Sequence, residues 1–507
     1  PEDEAPIENP GRLLQDNMGR MLYLGDSATL SFLHSIRRLV ANSLGPSPFT
    51  MDSSRYKILE AAISIPPSCQ LNYALPDPEA AQYLVGSFFA SIAGLFEIFD
   101  KSEFTAKVLD TYSRPLDASP QWLCHLNLVF AIGLQICKDI TTLTAVETCI
   151  MQRLEGKTVN RAEIFYITAK EFKDPVLAIE GGEISDIQSL LLTTIYMLAS
   201  SKRNAAWGYL GNETAGMAVN LAHALGLQKE EALMLFNPAE RVERRKLWQS
   251  LYIMDSFLAT SLGRPSSINA ISDSDLYASL SSSEIASDSN ELLFSVKASK
   301  IASDILSRIY RNRKASRSIA YTLSLQLGDW MKELPEELHW RRISVLSEDQ
   351  HMTLKRLHIN LIYFHGIQLL TRPFLLHKIS KQLGGEMRSE QQNLPSRVDI
   401  GRPEQIFCFH GACVRSAMHT INGVYATYNV SALPRRDPFV IYWLFSAALV
   451  ILANIFSPVH TEADGNAAVQ KALAVMSFCG AIDSQAHRYH VILKSFHDVL
   501  TADAAKK

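Results

Sequence analysis

The chain is poor in the features that announce chemistry. Its 507 residues hold no phosphate-cradling P-loop, no G-x-G-x-x-G dinucleotide fingerprint and no G-x-S-x-G nucleophile elbow, so kinase and hydrolase readings lack their defining backbone. A terpene-type helical enzyme would need an aspartate-rich helix motif, and none occurs. Cysteine is sparse: the seven residues (Cys69, Cys124, Cys137, Cys149, Cys408, Cys413, Cys479) are odd in number and scattered among mostly apolar neighbours. That pattern excludes a zinc-cluster run and argues against a disulfide frame, leaving reduced, buried thiols of an intracellular protein. Charge of one sign is also lacking, since the formal net charge is -3, which offers no general attraction to phosphate. The N-terminus has no basic start leading into an apolar segment, so no secretory signal is visible. Only one long apolar run occurs, Phe439 to Phe456 between Pro438 and Pro458; it is marginal for a membrane span, carries Ser446 and Asn454, and reads as a central core helix. No regular sequence period appears, which disfavours a strict-repeat solenoid.

What is present suits a large buried core. Hydrophobic residues make up 47% and charged residues 20%, and the length exceeds that at which one core usually stops growing. Two helical lobes or one extended helical array are both allowed.

The most informative stretch is Asn237 to Ile268, NPAERVERRKLWQSLYIMDSFLATSLGRPSSI. Asn237 caps a helix, Pro238 takes the first helical position, where no backbone donor is needed, and Glu240 completes an N-x-x-E capping box. Leu247, Leu251, Met254 and Leu258 recur at helical spacing and stack on one face, which must be buried. Arg241, Arg244, Arg245 and Lys246 fall in the first two turns. Gly263 and Pro265 stop the helix and leave Arg264 on a fixed turn. Asp255 borders the apolar stripe, so it requires an arginine or backbone donors, Arg264 being the natural choice.

The pattern E-x-R-R-x-L-W-x-x-L-Y-x-x-D followed by L-G-R-P-x-x-I resembles the signature of the fungal-specific transcription factor domain. It is carried here by Glu243, Arg244, Arg245, Leu247, Trp248, Leu251, Tyr252, Asp255, Leu262, Gly263, Arg264, Pro265 and Ile268. An ordinary amphipathic helix explains the stripe but not the arginine pair, tryptophan, aspartate and Gly-Arg-Pro turn together. Further family-like blocks are Tyr23, Gly25 and Ser27 (Y-x-G-x-S), Asp100 with Phe104, Ala206-Trp207 leading to Leu225-Gly226-Leu227, and a Leu-x-x-Arg-Pro-Phe-Leu turn at Leu369 to Leu375. The chain departs from the family at Gly216, where arginine is usual, and at Gln228, where histidine is usual, so those contacts do not carry over.

The resemblance implies an all-α fold, a large multi-helix globular domain. It implies the middle homology, or regulatory, region of a zinc binuclear cluster (Zn2Cys6) transcription factor. Such a domain controls transcription in response to a small molecule or partner protein. The DNA-binding zinc cluster would lie N-terminal to this chain, which begins at Pro1, so zinc is expected only there and no cofactor, metal or catalytic residue is expected here. Implied partners are a small-molecule effector, transcriptional co-regulator proteins, DNA through the absent cluster and a second copy of the chain; no membrane is implied. The implied location is the nucleus, and the cytoplasm as well. Arg244, Arg245, Trp248, Asp255, Gly263, Arg264 and Pro265 form the structural signature, with Arg244, Arg245, Asp255 and Arg264 as an internal charge network. The alternative is a helical adaptor that binds partner proteins without a ligand.

Residues 1–10 read as a disordered tail, 11–379 as the regulatory domain with its family core at about 80–270, 380–404 as a mobile polar insertion and 405–500 as the C-terminal helical part. Ser185 and Gln188 suggest a capping box opening another helix. Aromatic residues at helical spacing read first as core. Phe88, Phe89 and Phe96, with Tyr196 and Trp207, are the candidate lining of a ligand pocket. The acidic, serine-rich Ile271 to Asn290 reads as a solvated loop, with phosphorylation as the functional alternative. His487, His490 and His497 share a helical face that suits metal, but no second ligand type lies near, and an exposed face is the plainer reading.

Overall fold

Helices begin where the sequence supplies caps. Asp77, Asp100, Ser119, Asn160, Asn237, Asp437 and Asp483 each accept a backbone N–H of the first helical turn that follows. Four of those helices carry proline at the first position, namely Pro78, Pro120, Pro238 and Pro438. In the computed structural model the described residues are 4–7, 11–16, 19–58, 73–137, 144–154, 160–174, 182–210, 217–268, 291–343, 350–389, 404–460 and 464–506.

The helices in the first half are α1 (Thr29–Leu44), α2 (Pro78–Ser91), α3 (Lys101–Ser113), α4 (Pro120–Gln135), α5 (Ala145–Leu154), α6 (Arg161–Phe172), α7 (Ile184–Ala199), α8 (Arg203–Leu210) and α9 (Met217–Ala224). The short α10 (Glu230–Leu233) leads into the signature helix α11 (Pro238–Leu262). Then follow α12 (Glu291–Ile305), α13 (Arg317–Glu333), the 40-residue α14 (Gln350–Ser389), α15 (Glu404–Asn429), α16 (Pro438–Phe456), α17 (Gly465–Gly480) and α18 (Ser484–Ala504). The fold is all-α, as the sequence implies, with four short strands as its only sheet among the described residues. β1 (Glu4–Pro6) pairs antiparallel with β4 (Lys314–Ser316), and β2 (Arg12–Gln15) with β3 (Met21–Leu24).

One continuous apolar cluster runs from Ala5 to Leu500, so the described helices share a core. α4 packs against α2, α6 and α7; α11 lies on α12, α12 on α14, and α14, α15 and α16 stack in turn. The apolar run is the centre of that stack: in α16 every residue from Pro438 to Asn454 is buried, as expected of a core helix.

Several local readings change. The first residues were expected as a disordered tail, but Glu4–Pro6 is a strand, and Ala5 is buried opposite Ala315. Arg12–Gln15 and Met21–Leu24, also read as the approach to a helix, pair antiparallel ahead of α1. α14 continues to Ser389, into the segment expected as an insertion, and residues 390–403 lie outside the described set. The box opening α7 is made by Glu183 and Asp186 rather than Ser185 and Gln188, because the helix starts two residues earlier, at Ile184. The acidic serine-rich loop falls outside the described residues.

Candidate functional site

The signature helix is built much as its sequence dictates. The Asn237 side chain accepts the Glu240 N–H at 3.0 Å. Glu240, instead of closing the box, takes Arg244 at 2.8 Å, four residues on and one turn along the same face. Leu247, Leu251, Met254 and Leu258 are fully buried. Gly263 ends the helix at φ 64°, a left-handed conformation that glycine adopts without penalty.

The expected network of Arg244, Arg245, Asp255 and Arg264 resolves into separate partnerships. Arg244 pairs with Glu240 and lies 3.5 Å from the Phe236 ring centre, while Arg245 pairs with Glu230 at 2.6 Å. Asp255 accepts from Ser266 Oγ (2.5 Å), Ser267 N (3.1 Å) and Ile268 N (2.9 Å), so the turn after the helix folds back onto the carboxylate. Burial pushes its pKa above the ordinary value against the pull of these donors. Arg264 points elsewhere, to the Tyr23 carbonyl (2.9 Å) and Asn204 Oδ1 (2.6 Å), with its guanidinium 5.7 Å from the Trp207 ring centre. Geometry explains the separation: at ~1.5 Å rise per residue, Arg244 and Asp255 stand roughly 16 Å apart along the axis. Trp248 packs edge-on to His223, and Pro265 is exposed on the turn.

Arg264 thereby joins two motifs that are far apart in the chain. Gly25 N donates to Leu262 O at 2.9 Å, and Ser27 Oγ to Thr260 O at 3.2 Å. Backbones at Gly25 and Gly263 touch so closely that a Cβ on Gly25 would sit 1.7 Å from the Gly263 carbonyl oxygen. The Y-x-G-x-S segment and the Gly-Arg-Pro turn are two halves of one junction.

Two clefts flank this junction, separated by the segment running from Leu24 into α1. One is lined by Leu24, Leu30, Leu198, Arg203, Leu262, Tyr442, Asp483 and Arg488 among others. Arg203 lies 4.9 Å from the Tyr442 ring centre, and Thr29 Oγ1 donates to the Tyr442 hydroxyl at 2.9 Å. Burial raises the Asp483 carboxyl, which accepts from Ala486 N at 2.7 Å and Ser201 Oγ at 3.2 Å.

The other cleft lies between α1, the π-helical turn after α12 and the middle of α14. Its centre depends on Pro373. A proline inside a helix removes the N–H that would bond four residues back, here the Leu369 carbonyl. That carbonyl is taken by the Tyr310 hydroxyl at 2.8 Å, presented by a π-helical turn, Leu306–Tyr310. The Leu369–Leu375 motif, read from sequence as a turn, is therefore continuous helix. Beside it Arg372 is buried, donating from Nη2 to the Ser27 carbonyl at 2.7 Å, with the Phe32 ring centre 5.1 Å away.

A small void of about 20 Å³ meets Phe257, Phe439, Trp443 and His365. Burial, followed by the field of Arg372, drives the His365 pKa well below its ordinary value. Neither nitrogen of His365, nor Trp443 Nε1, has a partner among the described residues.

The aromatic residues proposed from sequence as pocket lining sit elsewhere. Phe88 packs on Phe89, Phe89 on Phe104, Phe96 on Phe439, and Tyr196 stacks on Tyr166 at 4.5 Å, all buried. Trp207 serves the Arg264 contact; none of the five lines the three spaces above. The histidine face divides too, His490 meeting the Leu473 carbonyl and His497 meeting Gln470. Sequence reasoning assigned no role to Arg372, Tyr310 or His365. The available signal was an arginine set between apolar residues and directly before a proline.

An all-α body built around the signature helix is the architecture that the signature implies, and the chain belongs to the fungal specific transcription factor domain family, matched over residues 85–339. It is similar to an uncharacterized transcriptional regulatory protein of Schizosaccharomyces pombe, 24% identical over 92% of this chain and 56% of that protein. It is likewise similar to the transcription factor FBD3 of Gibberella moniliformis (24% identical, 91% of this chain, 63% of that protein). A third relative is the thiamine repressible genes regulatory protein thi1 of S. pombe (22% identical, 95% of this chain, 58% of that protein). The chain thus spans less than two thirds of these curated relatives. The family and these relatives are transcriptional regulators rather than enzymes.

Proposed function

We propose that this chain is the regulatory domain of a fungal zinc-cluster transcription factor acting in the nucleus, and that a small molecule held beside the signature junction sets its regulatory state. The observation that supports this reading is the pair of clefts against the Leu24-to-α1 segment, each mixing apolar walls with arginines that have unused donors, the buried Arg372 in one and the half-buried Arg203 and buried Arg488 in the other. A molecule in either cleft touches both the opening segment and the helices behind it. It therefore favours the clamped arrangement over a loosened one, and only such a difference in affinity shifts an equilibrium. A coupling of ~1–3 kcal/mol gives roughly fivefold to 150-fold control. DNA contact is assigned to a zinc cluster outside this chain, with zinc needed only there. Co-regulator proteins and a second copy of the chain are the further partners. Native mass spectrometry of the purified chain tests the reading: it expects a small-molecule mass released on denaturation, or a thermal shift with members of a metabolite library. A bare mass together with no shift across the library would overturn it.

The adaptor reading is favoured by one observation. Leu13, Met21 and Tyr23 share the outer face of the hairpin, and all three are exposed. If that face holds a partner protein, Leu13→Ser with Tyr23→Ser abolishes partner capture whether or not a ligand is present.

A further inference from the structure

The cleft between α1 and α14 has walls of one kind and a floor of another. Ile7, Phe32, Leu39, Pro373 and Leu376 make it apolar, while Arg372, only 2% exposed, lies at its base. Burying a guanidinium is costly unless its charge and its donors are met. Here Nη2 has the Ser27 carbonyl, the Phe32 ring lies alongside, and the Tyr310 hydroxyl, which donates to Leu369, also faces the guanidinium; Nε and Nη1 find no well-aligned acceptor among the described residues. Asp26, the carboxylate in the same lining, gives Oδ2 to Arg313 at 3.0 Å, while its buried Oδ1 has no hydrogen-bond partner among the described residues. The floor is thus a preformed, desolvated cation facing a narrow cleft with apolar walls.

We propose that this cleft binds an apolar carboxylate, of the medium-chain fatty or aromatic acid class, with its carboxylate on Arg372 and its hydrocarbon body against Phe32, Leu39 and Leu376. Arg38 and His377 also line the cleft but are exposed to solvent, so Arg372 is its buried cation, and a buried cation under apolar walls suits a monoanion with a hydrophobic body better than a sugar. The proposal rests on the ligand-sensing reading for its purpose, but not for its test.

The test is binding of octanoate to the full chain by calorimetry, with octanol, octylamine, octyl phosphate and inorganic phosphate as comparison probes. Octanoate is expected to bind one to one and at least tenfold more tightly than any of the others. Arg372→Gln should weaken it at least tenfold. Because that change also removes the bond to Ser27, Leu376→Trp, which fills the cleft and leaves Arg372 its partner, is the second variant and should abolish binding while far-ultraviolet circular dichroism is retained. Equal binding of octanol or octyl phosphate, or undiminished binding to Leu376→Trp, would overturn the assignment. Binding as expected, with no effect on transcription, would leave the site standing and remove the sensing role instead.

Discussion

Asp255 shows what a single residue can and cannot reveal in a sequence. Its place at the edge of a buried stripe requires partners, and partners exist; which ones they are was not legible, because backbone donors leave no mark in side-chain identity. Asp255→Ala strands the N–H groups of Ser267 and Ile268, while Ser266 Oγ keeps only the Ile268 carbonyl. A loss of about 2–4 kcal/mol is expected, read from the denaturant midpoint, and an unchanged midpoint would contradict the role. Arg372 and Tyr310 were illegible for a different reason: their meaning comes from a carbonyl that a proline sets free. Tyr310→Phe should cost ~1 kcal/mol or somewhat more by leaving the Leu369 carbonyl unmet. In that background Pro373→Ala, which restores an N–H to bond Leu369, should recover much of the loss in the same assay.

Among elements, capped helices with clear apolar faces were well marked, above all α11, whose first helical residue, buried stripe and stop all coincide with the reading from residues alone. The hairpin of β2 and β3 was not. Its strands are four residues each, and the outward Leu13, Met21 and Tyr23 blur the polar-apolar alternation that identifies a strand. Yet this hairpin delivers Tyr23 and Gly25 to the Arg264 turn, so the part least visible in sequence completes the part most visible. Gly25→Ala would drive a methyl into the Gly263 carbonyl. Hydrogen exchange should then accelerate across residues 19–28 well before the centre of α16 is affected, and unchanged protection there would mean that the clamp is not held by this contact.

At the scale of the whole molecule, the core carries titratable groups that favour the neutral form. Burial is the leading cause that lowers His125, His410 and His34 from 6.5 to about 4, assisted at His34 by Arg12, Arg38, Arg37 and Arg55. The unfolded chain therefore takes up protons near 6.5 while the folded chain resists until about 4. Stability is present above 6.5 and is lost progressively as pH falls through that window. With each tenfold change in proton affinity worth ~1.4 kcal/mol, fully buried His125 alone contributes about 3 kcal/mol. Thermal melting across this range should show a steep decline, and His125→Gln should flatten it. The all-α class and the family could be read from spacing and motif because both are written in contiguous residues. The clefts could not, since each is assembled from segments hundreds of positions apart.

The regulatory claim is tested most directly by transcription from a reporter driven by this chain fused to an unrelated DNA-binding domain, comparing the unaltered protein with Leu376→Trp while an apolar carboxylate is supplied. The unaltered protein should change its output severalfold with the acid, and Leu376→Trp should be fixed at one level. Identical output from both, with and without the acid and at equal protein abundance, would contradict it.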